Sequence, residues 1–521
     1  MKQLPTIMLT AILLAACGGG GGGNSSAGDD PGNPPPPTNP ASAPPNPLLS
    51  GQQLKCADYS GAAAHRWNPG ETDANLQFIA KRTGLNCVTF SWVEFVDPDT
   101  GALEQPLAPL SDIYKTAEYA HSLDLSVAFK PYFQLKGAVS FMDHFGMYDA
   151  LRDERRKKLD DFSQKFLPNY MEWAEKVGKI AQDTSAVFLA IGGEMTPLDS
   201  SAYDAFWQSV IGRARTTYKG HLTYAFWGAI STDQFNQERA AAQGESAWDV
   251  QPYHHIDMWK YLDLIGPQIH DPLSQSPFIS YEEALNQWKA NTAYGQRPVD
   301  IIKAWSDYAK KFGKPLISLE SGFTTSAFPY DPPNPQTARP ATGGLKTQYI
   351  QQAELAQSFL ANMERFDQAT LAGYSYIVFV NDDNPTVHSE PESSVNSPLW
   401  WRRYGWTMYQ KPALYSFAAL SRNDNVIAGD DSGNELMALV GRPSVVQGGL
   451  GNDTINARQP FGSSIDGGAG TNQLIYYGTD SRDISIQQTG IGSAKVSQGN
   501  LTDTVTNIAT IVFQDQTISL K

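Results

Sequence analysis

Between Leu54 and Leu420 the chain alternates short, continuous apolar runs with longer stretches in which apolar residues recur every third or fourth position. Continuous apolar runs fit strands buried on both faces, and the 3.6-residue period fits helices that cover them. The strands read this way are Leu54–Tyr59, Cys87–Val93, Leu125–Phe133, Ala186–Ile191, Leu222–Trp227, Leu264–Ile269, Leu316–Leu319 and Tyr374–Val380. Between them, Phe162 to Gln182 carries Phe166, Tyr170, Trp173, Val177 and Ile180 at helical spacing, and Ile350 to Phe366 does the same. Strands alternating with helices imply a parallel sheet with right-handed crossovers. Eight such units predict an α/β fold, the (β/α)8 TIM barrel, over residues 51–421.

Both flanks depart from this pattern. Residues 1–17 have Lys2, an apolar run from Leu4 to Leu14 and Leu14-Ala-Ala-Cys17, which reads as an export signal too short to span a bilayer. Small residues directly before a cysteine resemble a bacterial lipobox. The resemblance implies cleavage before Cys17, lipidation of Cys17, and an exported lipoprotein held at the outer membrane, because Gly18 is not the aspartate of inner-membrane retention. Residues 18–50 are Gly, Pro, Ser and Asn with little to bury, a linker without a core.

From about Arg422 the composition turns to Gly, Asp, Asn, Ser and Thr, predicting a small all-β, β-roll-like module over 422–521. Gly448-Gly-Leu-Gly-Asn-Asp-Thr-Ile455 recurs in altered form at Gly467 to Leu474 and more weakly at Gly429 to Leu436. These segments resemble hemolysin-type calcium repeats, which would make Asp453, Gly449 and Gly451 ligands of Ca²⁺. A metal-free glycine-turn module fits the same residues, so both readings stand at this point.

The formal charge is −15, and Arg152 to Lys158, the main basic cluster, is interleaved with Asp153 and Glu154. Nucleic acid is therefore not an expected partner. Twelve Trp residues suit stacking on sugar rings, although most must serve the core. With Cys17 lipidated, Cys56 and Cys87 remain at the starts of the first two strands, a candidate disulfide in an oxidising compartment. A monomer is expected.

The chemistry is carried by two runs that end on a glutamate, Phe188-Leu-Ala-Ile-Gly-Gly-Glu194 and Pro315-Leu-Ile-Ser-Leu-Glu320. The first polar residue after a buried barrel strand lies on the catalytic rim. Two carboxyls there suit glycosidic bond cleavage, which needs a proton donor for the leaving oxygen and an anion or a water on the other side of the sugar. No cofactor is needed for this reaction. Further rim candidates for substrate binding are Asp58, Trp92, Glu94, Lys130, Trp227, Gln268, His270, Asn381, Trp400 and Trp401. His254 and His255 lack a third ligand at motif spacing and read as solvent or packing residues.

Glutamates after strands four and seven resemble the acid/base and nucleophile of the clan of retaining (β/α)8 glycosidases. Phe129-Lys-Pro131, Ile191-Gly-Gly-Glu-Met195, Ile211-Gly-Arg-Ala-Arg215, Tyr218 to Tyr224, Met258 to Gly266, Lys314 to Gly322 and Lys411-Pro-Ala413 are similar to glycoside hydrolase family 113. That resemblance implies a retaining endo-β-1,4-mannanase-like enzyme with Glu194 as acid/base, Glu320 as nucleophile and a polysaccharide as substrate. Two positions depart from the clan's pattern. Gly193 stands where many members have an asparagine that binds the sugar 2-hydroxyl, and His270 where an aromatic, usually tyrosine, is expected near the nucleophile. The competing reading is a catalytically silent carbohydrate-binding surface lipoprotein or adhesin, disfavoured by the presence of both glutamates.

Overall fold

The computed structural model describes residues 43–59, 69–104, 110–136, 141–145, 153–228, 256–274, 276, 278–293, 298–323, 345–367, 369–379, 408 and 411–520. Cys17, Asn381, Trp400, Trp401, His254 and His255 lie outside them. Among the described residues no helix is long and apolar enough to cross a membrane.

Eight parallel strands close into a barrel in chain order, β8 returning to pair with β1. They are β1 Leu54–Tyr59, β2 Cys87–Val96, β3 Ser126–Leu135, β4 Phe188–Gly193, β5 His221–Gly228, β6 Pro267–Ile269, β7 Leu316–Ser321 and β8 Leu371–Phe379. The helices include α1 Pro69–Arg82, α2 Leu110–Ser122, α3 Phe141–Phe145, α4 Asp153–Asp183, α5 Asp204–Thr217, α6 Tyr281–Lys289, α7 Ile301–Phe312, α8 Leu345–Met363 and α9 Pro412–Ser421. Each predicted strand is present. Boundaries differ by up to three residues, as at strand six, where only Pro267–Ile269 pairs regularly and Ile265 bridges singly to Leu316.

Local signals set the helix ends. Ser280 and Glu283 form a reciprocal capping box at the start of α6. Asp300 accepts the Lys303 N–H at 3.0 Å at the start of α7, and Gly313, at φ 63°, ends that helix in the left-handed conformation that suits glycine.

Side-chain size sorts the two faces of the barrel wall. Inside lie modest residues such as Leu54, Cys56, Cys87, Ala128, Ala190, Ala225, Leu264 and Ile317. Outside, Phe90, Trp92, Phe129 and Phe133 pack against the helices. Because side chains alternate along a strand, Cys56 and Asp58 of β1 share the inner face, as do Ala128, Lys130 and Tyr132 of β3. The apolar plug thus carries polar groups at its C-terminal end. Cys56 and Cys87 are register partners with Cα atoms 4.2 Å apart and form a disulfide inside this plug.

The C-terminal module begins with coils of one length and closes with a longer coil that carries a hairpin. One sheet stacks β9 Val426–Ala428, β11 Val445–Gln447, β13 Ser464–Asp466 and β17 Leu501–Thr506 in parallel and adds the hairpin of β15 Ser485–Gly490 and β16 Ser493–Gln498. The other stacks β10 Glu435–Met437, β12 Thr454–Ala457, β14 Gln473–Tyr476 and β18 Thr510–Val512 and ends on β19 Thr517–Ser519. Register partners Val426, Val445 and Ser464 align successive coils, which brings Ile427, Val446, Ile465 and Val505 into one buried column. Leu436, Ile455, Leu474 and Ile511 form the other.

At the turns, hydrogen bonds link positions 19 residues apart: the Asn434 N–H donates to Asp453 Oδ1 (2.7 Å) and the Asp453 N–H to Asn472 Oδ1 (2.9 Å). Gly449 O accepts the Ala469 N–H at 2.9 Å. Asp453 and Gly449, two of the residues expected to bind calcium, take part in coil stacking. Among the described residues no group of three or more His, Cys, Asp or Glu side chains is placed to hold a metal ion. Derived from these contacts, Asp453 is one rung of an Asn-Asp-Asn ladder, and its burial pushes its carboxyl up from the usual range.

The roll is docked on the barrel, not strung beside it. Arg82 of α1 donates to Ala428 O (2.7 Å) and Gly429 O (2.8 Å), and the Val440 N–H donates to Gln357 Oε1 of α8 at 3.0 Å. Tyr477 OH donates to the buried Glu354 of α8 at 2.7 Å, and Asn434 Nδ2 donates to Tyr415 OH of α9 at 3.1 Å. One continuous apolar core runs through both parts.

The ladder makes a test. Asp453→Asn replaces a buried, half-satisfied carboxyl with the residue of the neighbouring rungs and should raise stability by about 1 kcal/mol in urea unfolding, with no effect of chelator on the parent chain. A loss of stability on substitution, matched by a loss on chelation of the parent, would instead make Asp453 a metal ligand.

Candidate active site

Glu194 and Glu320 meet over the plug with a set of donors around them. Glu320 is the penultimate residue of β7 and pairs in register with Gln268 of β6. Gln268 Nε2 lies 2.8 Å from Glu194 Oε1, 2.7 Å from Tyr132 OH and 3.4 Å from Glu320 Oε2. One amide nitrogen thus touches both carboxyls, so their facing oxygens are separated by no more than the sum of 2.8 and 3.4 Å. Tyr132 OH donates to Glu320 Oε2 at 2.8 Å, and Lys130 Nζ reaches the same oxygen at 2.8 Å.

Lys130 is fully buried, between Glu320 and Asp58, and also donates to Leu319 O at 3.1 Å. A buried ammonium is tolerable only with such compensation. Asp58 in turn accepts the Ser91 hydroxyl at 2.9 Å. His270 Nε2 stands 3.6 Å from Glu320 Oε1.

This arrangement drives the two glutamates apart in acidity. Burial raises the Glu194 carboxyl, and the negative charge of Glu320 raises it further, to about 7. Burial acts in the same direction on Glu320 but is outweighed by the Lys130 ammonium, with His270 and the Lys130 hydrogen bond adding to it, so Glu320 is held well below the usual carboxylate range. Burial lifts Asp58 to about 6 against the pull of Lys130. Near neutral pH the site presents one protonatable carboxyl and one firmly ionised one.

The end of β4 explains how Glu194 is aimed. The ladder with β5 shifts register between Ala190 and Gly193, and Glu194 follows at φ 54°, a left-handed conformation uncommon outside glycine. Its N–H is held by Ala225 O at 2.9 Å, and the next N–H, of Met195, by Tyr224 OH at 2.8 Å. A Cβ at position 193 would sit 2.7 Å from Ala225 Cβ and 2.9 Å from Tyr132 Cε1. The asparagine expected there is excluded by the tyrosine ring that the site draws from β3.

Of the other rim candidates, Asp58, Lys130, Gln268 and His270 join the site. Trp92 and Glu94 do not, since they share the outer face of β2. Trp92 is buried edge-on against Phe129, and Glu94 accepts the indole N–H groups of Trp92 (2.8 Å) and of Trp173 on α4 (3.1 Å). The strand continues three residues beyond its predicted end, so both belong to the wall and not to the rim. Trp227 lies on β5 in register with Gln268. Tyr132 is the residue that sequence reasoning missed, hidden in the apolar run of strand three; its spacing of two from Lys130 was the available signal.

Gly193→Ala should cost roughly 1–3 kcal/mol by overpacking against Ala225 and Tyr132. Unchanged urea unfolding would show that the Tyr132 ring is not held where the site requires it.

The model of Glycoside Hydrolase Family 113 matches residues 62–335. No curated protein matches the sequence. Among solved structures, the GH113 β-mannanase AaManA from Alicyclobacillus acidocaldarius, in complex with ManMIm, is similar at 19% identity with a TM-score of 0.50, covering 71% of this chain and 97% of its own. A second, described as a GH113 β-1,4-mannanase, has 14% identity and a TM-score of 0.48 over 71% of this chain and 98% of its own. The family match spans more than half of the chain and contains Glu194 and Glu320. The chain is a glycoside hydrolase and belongs to glycoside hydrolase family 113.

Proposed function

We propose that the chain cleaves a β-linked polysaccharide internally and with retention of configuration, Glu194 serving as acid/base and Glu320 as nucleophile. The observation that carries this reading is the single amide of Gln268 touching both carboxyls. It keeps their facing oxygens within the sum of 2.8 and 3.4 Å, which favours the close pair of a retaining enzyme over the roughly 6.5–9.5 Å of inverting pairs, which must admit a water. The opposed acidities support these roles. Ionised Glu320 attacks the anomeric carbon as the glycosidic bond breaks, and the bonding pair leaves with the sugar oxygen, which takes the proton of Glu194. Glu194, now a carboxylate, then removes a proton from water as that water attacks the same carbon and Glu320 departs.

The relatives named above act on β-mannan, so β-1,4-mannan heads the substrate panel. Gly193 and His270 both depart from the clan's pattern at the bond-breaking subsite, and gluco-, galacto- and xylo-polymers belong beside it. The enzyme is further proposed to be an exported lipoprotein anchored through Cys17, which metabolic labelling with palmitate and its loss in Cys17→Ala would test.

Glu194→Ala should slow hydrolysis of the active polysaccharide on the order of 10²–10⁴-fold while sparing an aryl glycoside with a good leaving group. Azide should rescue it with a β-azide product. Equal losses on both substrates would remove Glu194 from the acid role. For the parent chain, kcat/KM should fall as pH rises through about 7, where Glu194 loses its proton, and that limb should vanish with the activated aryl substrate. A rate on polysaccharide that stays flat to pH 9 would contradict the assignment.

A further inference from the structure

We infer that Tyr132 and Gln268 form a donor relay that selects the reacting oxygen of each carboxyl, so that Glu320 attacks through Oε1 and Glu194 carries its acid proton on Oε2. The inference rests on the roles proposed above and adds to them two positioning residues and an atomic assignment.

The argument begins with what an amide nitrogen can do. Gln268 Nε2 has two hydrogens and no lone pair to offer, so it only donates. Its two short neighbours are Tyr132 OH at 2.7 Å and Glu194 Oε1 at 2.8 Å. With its oxygen turned that way instead, the amide would face a carboxyl and a phenol oxygen already committed to Glu320. Gln268 therefore gives one hydrogen to each. Tyr132, having accepted that hydrogen, directs its own to Glu320 Oε2 at 2.8 Å.

The lone pairs are then counted at each carboxyl. Glu320 Oε2 takes Tyr132 and Lys130, both at 2.8 Å, and is fully engaged. Among the described residues Glu320 Oε1 has no donor within hydrogen-bond distance, His270 Nε2 standing at 3.6 Å, and keeps a lone pair for the anomeric carbon. When Oε1 becomes the ester oxygen, Oε2 becomes the ester carbonyl, and the same two donors stabilise it and, in the second step, the departing carboxylate. At Glu194, Oε1 accepts from Gln268, and the carbonyl oxygen of a carboxylic acid accepts far better than its hydroxyl. The proton is left on Oε2, the oxygen turned from Gln268.

The relay is also built into the wall. Tyr132 can stand there because residue 193 has no side chain to meet its ring, and Gln268 is set beside Glu320 by strand register. The charged or titratable groups facing the pair come from every neighbouring strand: Asp58 of β1, Lys130 and Tyr132 of β3, Glu194 after β4 and His270 after β6.

The test reads the carboxyls without substrate. The full chain is labelled with ¹³C at the glutamate side-chain carboxyl and titrated by NMR, with the two signals assigned from Glu194→Gln and Glu320→Gln. Tyr132→Phe removes a donor to ionised Glu320 and should raise its titration by about one unit or more. Gln268→Leu removes the donor to Glu194 and should move its titration above the parent value of about 7. Tyr132→Phe thus acts chiefly on Glu320 and Gln268→Leu chiefly on Glu194, a split that a general loss of packing would not produce. If neither signal moves, or both move alike in both variants, the relay is overturned. Should one variant fail to fold, the other still reads its own half.

The atomic assignment is read from a glycosyl-enzyme trapped with a 2-deoxy-2-fluoro glycoside. Its ester should leave the oxygen that faces Tyr132 and Lys130 as the carbonyl. An ester through that oxygen would refute the assignment. Because the titration needs no turnover, failure to hydrolyse any glycan would sink the proposed function and leave the relay independently decided.

Discussion

A lysine buried at the centre of the barrel is the constraint on which the site depends. Lys130 has no route to water, so its ammonium must find its compensation in side chains and carbonyls that the strands deliver. It finds Asp58 on one side, Glu320 on the other and the Leu319 carbonyl beside them. In the mechanism proposed above, Asp58 keeps that charge compensated when Glu320 becomes a neutral ester, so the ammonium is not stranded. The same ammonium holds Glu320 ionised, and ionised Glu320 in turn raises Glu194. Burial and then ionised Glu320 raise Glu194 against a smaller downward pull from Lys130, while the same ammonium holds Glu320 low.

Strand geometry makes this possible. Small inner residues such as Ala128, Ala190 and Ala225 leave room at the top of the plug, while Phe90 and Trp92 of β2 and Phe129 and Phe133 of β3 are turned outward to hold the helices. The C-terminal roll adds to this frame. Its first coil rests on α9, the last helix of the barrel, and its later coils engage α8, so loosening the roll would expose apolar surface continuous with the barrel core. The expected boundary near residue 422 marks a change of architecture within one packed body.

Much of this was legible in the sequence, and the misses share a cause. The eight apolar runs located the strands because burial on both faces leaves little room for polar residues. Glu194 and Glu320 stood out because each ended such a run. Which face a residue takes is harder to read when both faces are apolar, since the alternation that would phase the strand is absent. For that reason Trp92 and Glu94 were placed on the rim, although they belong to the wall, and Tyr132 was passed over. Gly193 was noted as a departure, but its reason, a ring arriving from a strand far away in sequence, exists only in three dimensions. In the roll, the spacing of the glycine segments matched the coil length. The use of Asp453 as a stacking rung depended on the coils above and below it.

The most direct test of this account is covalent. A 2-deoxy-2-fluoro glycosyl fluoride of the sugar that the enzyme cleaves should inactivate it with a stoichiometric mass increase, and peptide mapping should place the adduct on Glu320. Inactivation should be absent in Glu320→Ala. An adduct on another residue, or turnover of the natural glycan with inversion and no trapped intermediate, would contradict a mechanism built on an ionised Glu320 beside Lys130.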